Sequence, residues 1–459
     1  MLVAAASLSI VYPVGAQDVS RMCVARAIPH GHLSADECLA GSLDVARYGG
    51  HLYSNKAPGI AVLAVPVASL VGLKAPQAWN HSHDFRLWAV RIATGGLALL
   101  LCSFLLGRVA EGLVPGSGGI TLVAFALGTE ASALAGPNFS DVQAAALCFA
   151  AFVLAWGRRP FLAGLVAGLA VLVEYEAALV AIVLTAYLLL SGGRAVARYA
   201  LGAVPPAMAL GAYNWAAFGS PFHLSYRYEA SVYTSDLATG FFGIHAPTWH
   251  SIRLVLVGDR GLLLVSPFLV AAAAGLLLLW RTRRAEAAVC TVVVLAFLAL
   301  DCGYFAPYGG DSPGPRYLAP ALPFLALGLP EVIARRRALV AVLVAASVLA
   351  STAIALTWPA AVNAAPGYSD TVWRRLGGLL LHGRGEPLTA WAQQNLLSWF
   401  GVRPLGSFVA VFVVSLAAVA AAIVQTGHLG QRPLLRHTRA PREALRRRAK
   451  LADDQEAVG

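Results

Sequence analysis

The sequence predicts an all-α protein, a polytopic membrane bundle in which about 12 apolar helices cross the bilayer. Of the 459 residues, 58% are hydrophobic and only 12% are charged, with a mean hydropathy of +0.68. Soluble domains carry about 25% charged residues, so a soluble domain is excluded. Apolar runs also recur along the whole chain and are separated by short basic clusters. The expected partners are therefore membrane lipids, and no nucleic acid is expected.

The basic clusters fix the predicted topology, because short cytoplasmic loops hold most Lys and Arg residues. All clusters fall on one side only if residues 57–73 do not cross and residues 161–191 form a hairpin. Both termini are then cytoplasmic, and a membrane module over 1–427 is followed by a basic cytoplasmic tail over 428–459. The long connections lie outside, at 17–87, 216–260, 302–316 and 359–403.

Two apolar segments differ from an ordinary membrane span. Residues 2–16 are interpreted as a first span, although the run is short and the start of the sequence could cut it. A cleaved signal peptide is the alternative, because the run ends in small residues. Residues 57–73 carry no charge but contain Pro58 and Pro66. We predict a juxtamembrane or re-entrant helix there, on the outer face, because Pro suits a first helical turn and disfavours a straight span.

Charged residues collect at the outer ends of the predicted spans. They are Asp18, Lys56, Asp141, Asp259, Arg260 and Arg316. One such residue can simply mark a membrane boundary. Together they place carboxylates and cations at one depth, where a carboxylate can act as general base and cations can hold a phosphate. The set therefore suits transfer of a group from a membrane-borne phosphate carrier, because the leaving phosphate needs a cationic cradle.

The order of features in the first third of the chain carries a resemblance. Asp18 lies just outside the first span, and a long outer loop leads to YSNKAPG (Tyr53 to Gly59) before an apolar helix; a short basic cytoplasmic turn follows, and then Asp141 opens a span. In this order the chain resembles the GT-C superfamily of membrane glycosyltransferases, and most closely the branch of protein O-mannosyltransferases and lipid A aminoarabinose transferases. In that branch a Lys-Pro-Pro-Leu-like motif occupies the place of KAPG.

There is a looser likeness to uncharacterised bacterial integral membrane proteins of this superfamily. They share the YSxKAPG motif and three further motifs, FGSPF (Phe218 to Phe222), GDRGLL (Gly258 to Leu263) and GPRYLAPALP (Gly314 to Pro323).

The resemblance implies a GT-C-type fold and an inverting transfer of sugar from a polyprenyl-phosphate carrier to a cell-envelope acceptor, outside the plasma (inner) membrane. It implies Asp18 as catalytic base, Asp141 as an acid that shapes the site and Lys56 as a phosphate ligand. The charge pattern adds Arg316 and Arg260 to the phosphate ligands, and His51, Tyr53 and Asn55 belong to the Lys56 motif. Relatives often carry an acid where Asn55 stands. No cofactor is firmly predicted, and a divalent metal is left open.

Several alternatives remain at the level of sequence. The protein could be a transporter or flippase of a lipid-linked solute, or a non-catalytic lipid-binding relative.

The pairs His30 with His32 and His81 with His83 are interpreted as loop residues, because two ligands do not complete a metal site. Glu174 and Glu176 are predicted at the tip of the 161–191 hairpin. For the intramembrane acid Glu130, Arg91 is a conceivable partner. Cys23 and Cys38 share an outer loop, where a disulfide is an open possibility.

Overall fold

The computed structural model describes residues 1–77, 84–310, 312–357, 373 and 395–425, and these residues form an α-helical bundle with one two-stranded sheet. The predicted tail over 428–459, His81, His83 and most of the 359–403 connection lie outside the described residues. The helices that precede the fourth predicted span are α1 (Leu2–Leu8), α2 (Ala16–Ala27), α3 (Asp36–Leu39), α4 (Gly59–Leu70), α5 (Phe85–Arg91), α6 (Leu97–Leu113), α7 (Gly118–Gly128) and α8 (Ala131–Ala135).

The chain continues through a second series of helices. They are α9 (Asp141–Trp156), α10 (Pro160–Val173), α11 (Ala178–Leu189), α12 (Gly193–Phe218), α13 (Thr234–Leu237), α14 (Trp249–Val257), α15 (Leu262–Val265), α16 (Phe268–Leu279), α17 (Arg284–Gly303), α18 (Leu322–Ala326), α19 (Leu329–Thr357), α20 (Leu396–Trp399) and α21 (Pro404–Gln425). A π-helical turn, Ile92–Gly96, joins α5 to α6. A 3₁₀ turn, Arg316–Ala321, precedes α18.

Within the described residues, four helical segments are long and apolar enough to cross a membrane. They are Phe85–Leu113, Arg284–Gly303, Leu329–Leu356 and Gly406–Val424, and a bent pair over Trp249–Leu279 would make a fifth. Five further apolar helices have 10–17 residues. The chain is thus a multi-pass membrane protein, and the count of 12 crossings and the orientation of the termini stay predictions.

Three predicted spans are interrupted, two of them at a proline. The run 261–280 bends by 92° at a break that contains Pro267. The run 317–333 opens as a 3₁₀ turn containing Pro320 before the short α18. Residues 2–16 do not form one helix, because α1 ends at Leu8 and the chain then runs without helix to Gly15. Proline lacks the backbone N–H that donates the hydrogen bond of a continuous helix. This explains the first two interruptions.

The segment that was predicted not to cross, 57–73, and the predicted hairpin, 161–191, both have the expected form. Helix α4 has 12 residues, about 18 Å at 1.5 Å per residue, which is too short for a hydrocarbon core of about 30 Å. The 161–191 region forms the hairpin of α10 and α11, joined by a 3₁₀ turn at Tyr175–Ala177. The turn is enclosed by protein, since Glu174 is only 7% exposed.

A small layer, here called the loop layer, covers one end of the bundle. It comprises α2, α3, the hairpin of β1 (Val45–Tyr48) and β2 (His51–Ser54), and α4. Gly49 and Gly50 form the two-residue hairpin turn, and both have positive φ, which such a turn requires. A disulfide joins Cys23 of α2 to Cys38 of α3, with the two Cα atoms 5.7 Å apart. This covalent bond fixes the layer against its first helix.

Apolar packing joins the loop layer to the bundle. Met22 and Val24 of α2 and Ile60 of α4 are fully buried in a cluster that also contains Val90 of α5 and Val173 of α10. At the start of α4, Gly59 lies so close to the Leu172 carbonyl that a Cβ would overlap it. The N-terminal end of α4 begins three residues after Lys56 and is therefore held against the end of α10.

Helices α10 and α12 pack through a reciprocal pair of glycines. A methyl group on Gly164 would overlap the carbonyl oxygen of Tyr199, and one on Gly202 would overlap that of Phe161. Small residues of this kind allow the close backbone approach that helix association in lipid depends on. The contact positions the α10–α11 hairpin beneath the loop layer.

We expect Gly164→Ala and Gly202→Ala each to destabilise the protein by about 1–3 kcal/mol, because the added methyl group forces the two backbones apart. Gly193→Ala is the matched control at the start of α12, where an added Cβ meets no atom within 4 Å. Thermal unfolding in detergent, followed by circular dichroism, measures the three changes. Equal melting temperatures for all three variants would show that the close approach is not needed.

Candidate functional site

A cavity of about 160 Å³ lies between the loop layer and the connections at 226–237 and 304–317. Its charged and amide side chains are Gln17, Asp44, Asn55, Lys56, Glu229 and Arg316. Its aromatic walls include Tyr12, Phe139, Tyr226, Tyr233, Tyr304, Phe305 and Tyr317. Polar groups that converge in a concave, largely apolar site are the usual arrangement of a small-molecule pocket. This cavity is therefore the candidate functional site.

Lys56 enters the cavity as half of an ion pair. Its Nζ lies 2.9 Å from Asp44 Oδ1, and the two side chains are only 12% and 11% exposed. The Lys56 amide donates to Ser54 Oγ at 3.1 Å, and Ser54 in turn shares a 2.7 Å hydrogen bond with Ser20 of α2. Because β2 is paired with β1 on one side and tied to α2 on the other, the position of Lys56 is fixed by two elements.

The charges around Asp44 set the pKa of its carboxyl group. Burial raises this pKa, but the Lys56 ammonium, its hydrogen bond and the more distant Arg21 and Arg316 together outweigh burial, so the net pKa lies below the ordinary Asp value. Glu229 behaves in the opposite way. Burial raises its pKa, and hydrogen bonds from Ser231 and Asn55 offset that only in part.

Arg316 enters the cavity from the 3₁₀ turn before α18. Its Nε donates to the Gly309 carbonyl at 2.8 Å and its Nη2 to the Tyr317 hydroxyl at 2.9 Å. Nη1 lies 3.5 Å from Asp141 Oδ2, and the guanidinium carbon lies 5.1 Å from the centre of the Phe139 ring. The guanidinium is thus oriented by a carboxylate, a carbonyl and two rings, and it is the second cation in the cavity.

Asp18, which the resemblance implies as catalytic base, lies behind the cavity wall. It is fully buried, and Arg91 binds it through two contacts, at 2.6 Å to Oδ2 and 3.2 Å to Oδ1. Asn138 Nδ2 also donates to Oδ1 at 3.1 Å. The stretch from Tyr12 to Gln17 lines the cavity in front of this pair, but Asp18 itself does not line it. Its contacts are those of a residue that positions the wall.

Four other predicted residues, like Asp18, do not line the cavity. Asp141 is buried behind Arg316. Arg260 does not line the cavity: its Nη1 donates to the Ser312 carbonyl at 2.5 Å, and its guanidinium lies over the Tyr308 ring. His51 pairs with Asp36 at the surface, 2.9 Å away. Tyr53 packs against Phe218, with ring centres 5.3 Å apart.

Asn55 does line the cavity, and its position bears on the metal question. Its side-chain Nδ2 donates to Glu229 Oε2 at 2.8 Å, and its backbone carbonyl accepts from Ser225 Oγ at 2.7 Å. No group of three or more His, Cys, Asp or Glu side chains with the geometry of a metal site occurs among the described residues. Because an amide stands at the position of an acid and Asp44 is paired with Lys56, this donor set does not fit a divalent metal.

Two charged residues of the cavity, Asp44 and Glu229, were not predicted from the sequence. A signal for Asp44 was present: the two-residue turn at Gly49 and Gly50 pairs Val45 with Ser54. The next positions outward, Asp44 and Asn55, therefore face each other beside Lys56. Glu229 had no comparable signal. It reaches the cavity through an isolated bridge between its backbone and Ala46, a pairing that connects distant parts of the sequence.

The structure also places the residues of three further interpretations. Arg91 is the partner of Asp18, not of Glu130, whose carboxylate oxygens have no hydrogen-bond partner among the described residues. His30 and His32 lie at a separate surface cavity of about 870 Å³, beside the disulfide. The Cys23–Cys38 disulfide, which the sequence left open, is formed.

Comparisons with known proteins support the fold. No family model matches the chain, and no curated protein matches its sequence. Two solved structures match it, both of ArnT from Cupriavidus metallidurans. The apo structure has a TM-score of 0.50 and the structure bound to undecaprenyl phosphate a TM-score of 0.52. Each is 17% identical and covers 92% of this chain and 75% of ArnT. The predicted all-α membrane bundle is confirmed as the fold, and ArnT shares it.

Asp18→Asn should destabilise the protein by about 3–5 kcal/mol, because it leaves the buried Arg91 guanidinium without its counter-ion. The double variant Asp18→Asn/Arg91→Met removes both charges and should recover much of that loss. Thermal unfolding of the wild type, both single variants and the double variant gives the coupling energy. A coupling energy near zero would contradict the structural role assigned to this pair.

The pH dependence of stability should separate the two cavity acids. The lowered pKa of Asp44 means that its ionised form stabilises the fold at neutral pH. Relative to Asp44→Asn, the wild type should then be more stable at pH 7, and the advantage should vanish as the pH falls below about 4. The raised pKa of Glu229 gives the opposite sign, so Glu229→Gln should melt higher than the wild type at pH 7 and equally at acid pH. Melting temperatures from pH 3 to 7 test both, and the same sign for both variants would be the contrary result.

Proposed function

We propose that this protein is a glycosyltransferase that moves a sugar from a polyprenyl-phosphate carrier to a cell-envelope acceptor, on the outer face of the inner membrane. One observation carries the proposal. Lys56 and Arg316, which were predicted as phosphate ligands from separate parts of the sequence, line the same cavity. A fold shared with a protein that binds undecaprenyl phosphate supports the class of carrier.

The cavity has the groups that such a transfer requires. When the bond between the sugar and the phosphate breaks, negative charge develops on the leaving phosphate. A Lys ammonium and an Arg fork that are already oriented stabilise this charge best in a site that excludes water. Both cations are nearly buried here: Arg316 is 7% exposed and the Lys56 side chain 12%. The aromatic walls offer flat apolar faces to a sugar ring and to the first part of a polyprenyl chain.

The predicted carboxylates take positioning roles in this proposal. Asp141 orients Arg316 through the 3.5 Å contact. Asp18 fixes Arg91, whose Nη1 also donates to the Tyr12 carbonyl at 2.6 Å, and so holds the wall over residues 12–17. Arg260 supports the connection at 312–314 from outside the cavity. The carboxylates that line the cavity, Asp44 and Glu229, are therefore the candidate proton acceptors.

Removing either cavity cation should weaken phosphate binding. For Lys56→Met we expect polyprenyl phosphate to bind about 10- to 100-fold more weakly, since a charged hydrogen bond contributes about 1.5–3 kcal/mol. Arg316→Lys keeps the charge but loses the two-pronged geometry, and should give a smaller loss. Arg47→Met, on the exposed side of β1, is the control and should bind as the wild type does. Binding is measured on purified protein in nanodiscs, after melting temperatures confirm folding.

Turnover decides among the three candidate functions. With polyprenyl-phosphate sugar as donor, a transferase releases polyprenyl phosphate in an acceptor-dependent reaction. Movement of the donor across vesicles without bond cleavage would favour a transporter or flippase. Binding without cleavage or movement would favour a non-catalytic lipid-binding relative. Wild-type affinity in Lys56→Met would remove the phosphate cradle from the proposal.

A further inference from the structure

The cation that should hold the donor phosphate is already occupied by a carboxylate. Lys56 Nζ and Asp44 Oδ1 are 2.9 Å apart, and both side chains line the cavity. A phosphate anion that approached the same ammonium would face the Asp44 charge at close range in a site with little water, where like charges repel strongly. Phosphate and Asp44 therefore compete for Lys56, and the Lys56–Asp44 pair has to open when the donor binds.

We infer that donor binding switches on the catalytic base: the donor phosphate takes Lys56 from Asp44, and the released Asp44 carboxylate accepts the proton of the acceptor. The inference rests on the proposed function and adds a catalytic residue and its control. Asp44 and Lys56 lie beside each other at the end of the β1–β2 hairpin, so the base is freed next to the phosphate that frees it.

The change in base strength follows from the forces on Asp44. In the unliganded site the Lys56 ammonium keeps the pKa of the Asp44 carboxyl group below its ordinary value, although burial of Asp44 raises it. Once the Lys56 ammonium pairs with the donor phosphate instead, Asp44 is still buried and now has a negative charge nearby. Both effects raise the pKa of a carboxyl group. A carboxylate with a raised pKa is a better general base. Without donor, Asp44 is a poor proton acceptor.

The transfer step balances with these groups alone. The acceptor hydroxyl oxygen forms a bond to the anomeric carbon of the sugar, and its proton goes to Asp44. The bond from that carbon to the phosphate oxygen breaks, and its electron pair stays on the polyprenyl phosphate, where Lys56 and Arg316 stabilise it. Asp44 then loses the proton to water and pairs with Lys56 again, which favours release of the phosphate product.

The neighbouring carboxylates are less suited to this role. Asp18 is held by Arg91 and does not line the cavity. Glu229 lines the cavity, but its Oε2 accepts from Asn55 at 2.8 Å, and no ion pair joins it to a cation among the described residues. Phosphate binding would therefore not release Glu229, whereas it acts directly on Asp44.

The test is the sign of the binding change in Asp44→Asn. Loss of the competing charge should let polyprenyl phosphate bind more tightly, on the order of tenfold. Sugar transfer at saturating donor should fall by about 10²- to 10⁴-fold because the general base is gone. Asp44→Glu, which keeps a carboxylate, should retain part of the activity. Asp36→Asn is the matched control, since it removes a carboxylate of the same layer that pairs with His51 at the surface, and it should change neither quantity.

Each contrary result has a definite meaning. Weaker phosphate binding in Asp44→Asn would show that Asp44 only orients Lys56, and the inference would be overturned. Near wild-type transfer by Asp44→Asn, or loss of transfer in Glu229→Gln with Asp44→Asn active, would overturn it as well. These outcomes require a wild type that binds the carrier and transfers sugar. A wild type that does neither would instead refute the proposed function.

Discussion

The ion pair between Asp18 and Arg91 joins the loop layer to the helical bundle, and the candidate site depends on it. Both side chains are almost fully buried, where two charges are costly unless each is paired and hydrogen-bonded. Arg91 also binds the Tyr12 and Pro13 carbonyls, and Asp18 accepts from Gly15 and Asn138. The chain between α1 and α2 therefore has one well-defined path, and that path is the cavity wall.

Charge balance inside the cavity follows the same principle. Arg316 is matched by Asp141, and Lys56 by Asp44. The two matches differ in accessibility, because Asp141 lies behind its partner whereas Asp44 lies beside Lys56 on the cavity surface. An anion that enters can share Arg316 with Asp141, but it meets Asp44 directly at Lys56. In the proposed mechanism Arg316 is therefore the fixed cation and Lys56 the exchangeable one.

Much of the architecture was predictable from local patterns. Short apolar helices at 57–73 and 161–191 follow from the distribution of Arg residues and from length, since a membrane imposes one thickness on all spans. The sites of interruption were less predictable: Pro267 and Pro320 mark breaks, yet α4 and α12 continue through Pro66, Pro205 and Pro206. Whether a proline ends a helix depends on what can satisfy the freed carbonyl, and neighbouring helices decide that.

The sequence by itself determined that this chain is a multi-pass bundle of membrane helices and that Lys56 and Arg316 are cations at the ends of apolar segments. It could not determine which charged residues face one another. Asp18 and Asp44 are both acids of the first long connection, but only packing places the first against Arg91 inside the wall and the second in the cavity. Hydropathy predicts the depth of a segment in the membrane, because each type of side chain has its own free energy of transfer into hydrocarbon. The direction of a side chain depends on contacts with residues distant in sequence, and these exist only in the folded protein.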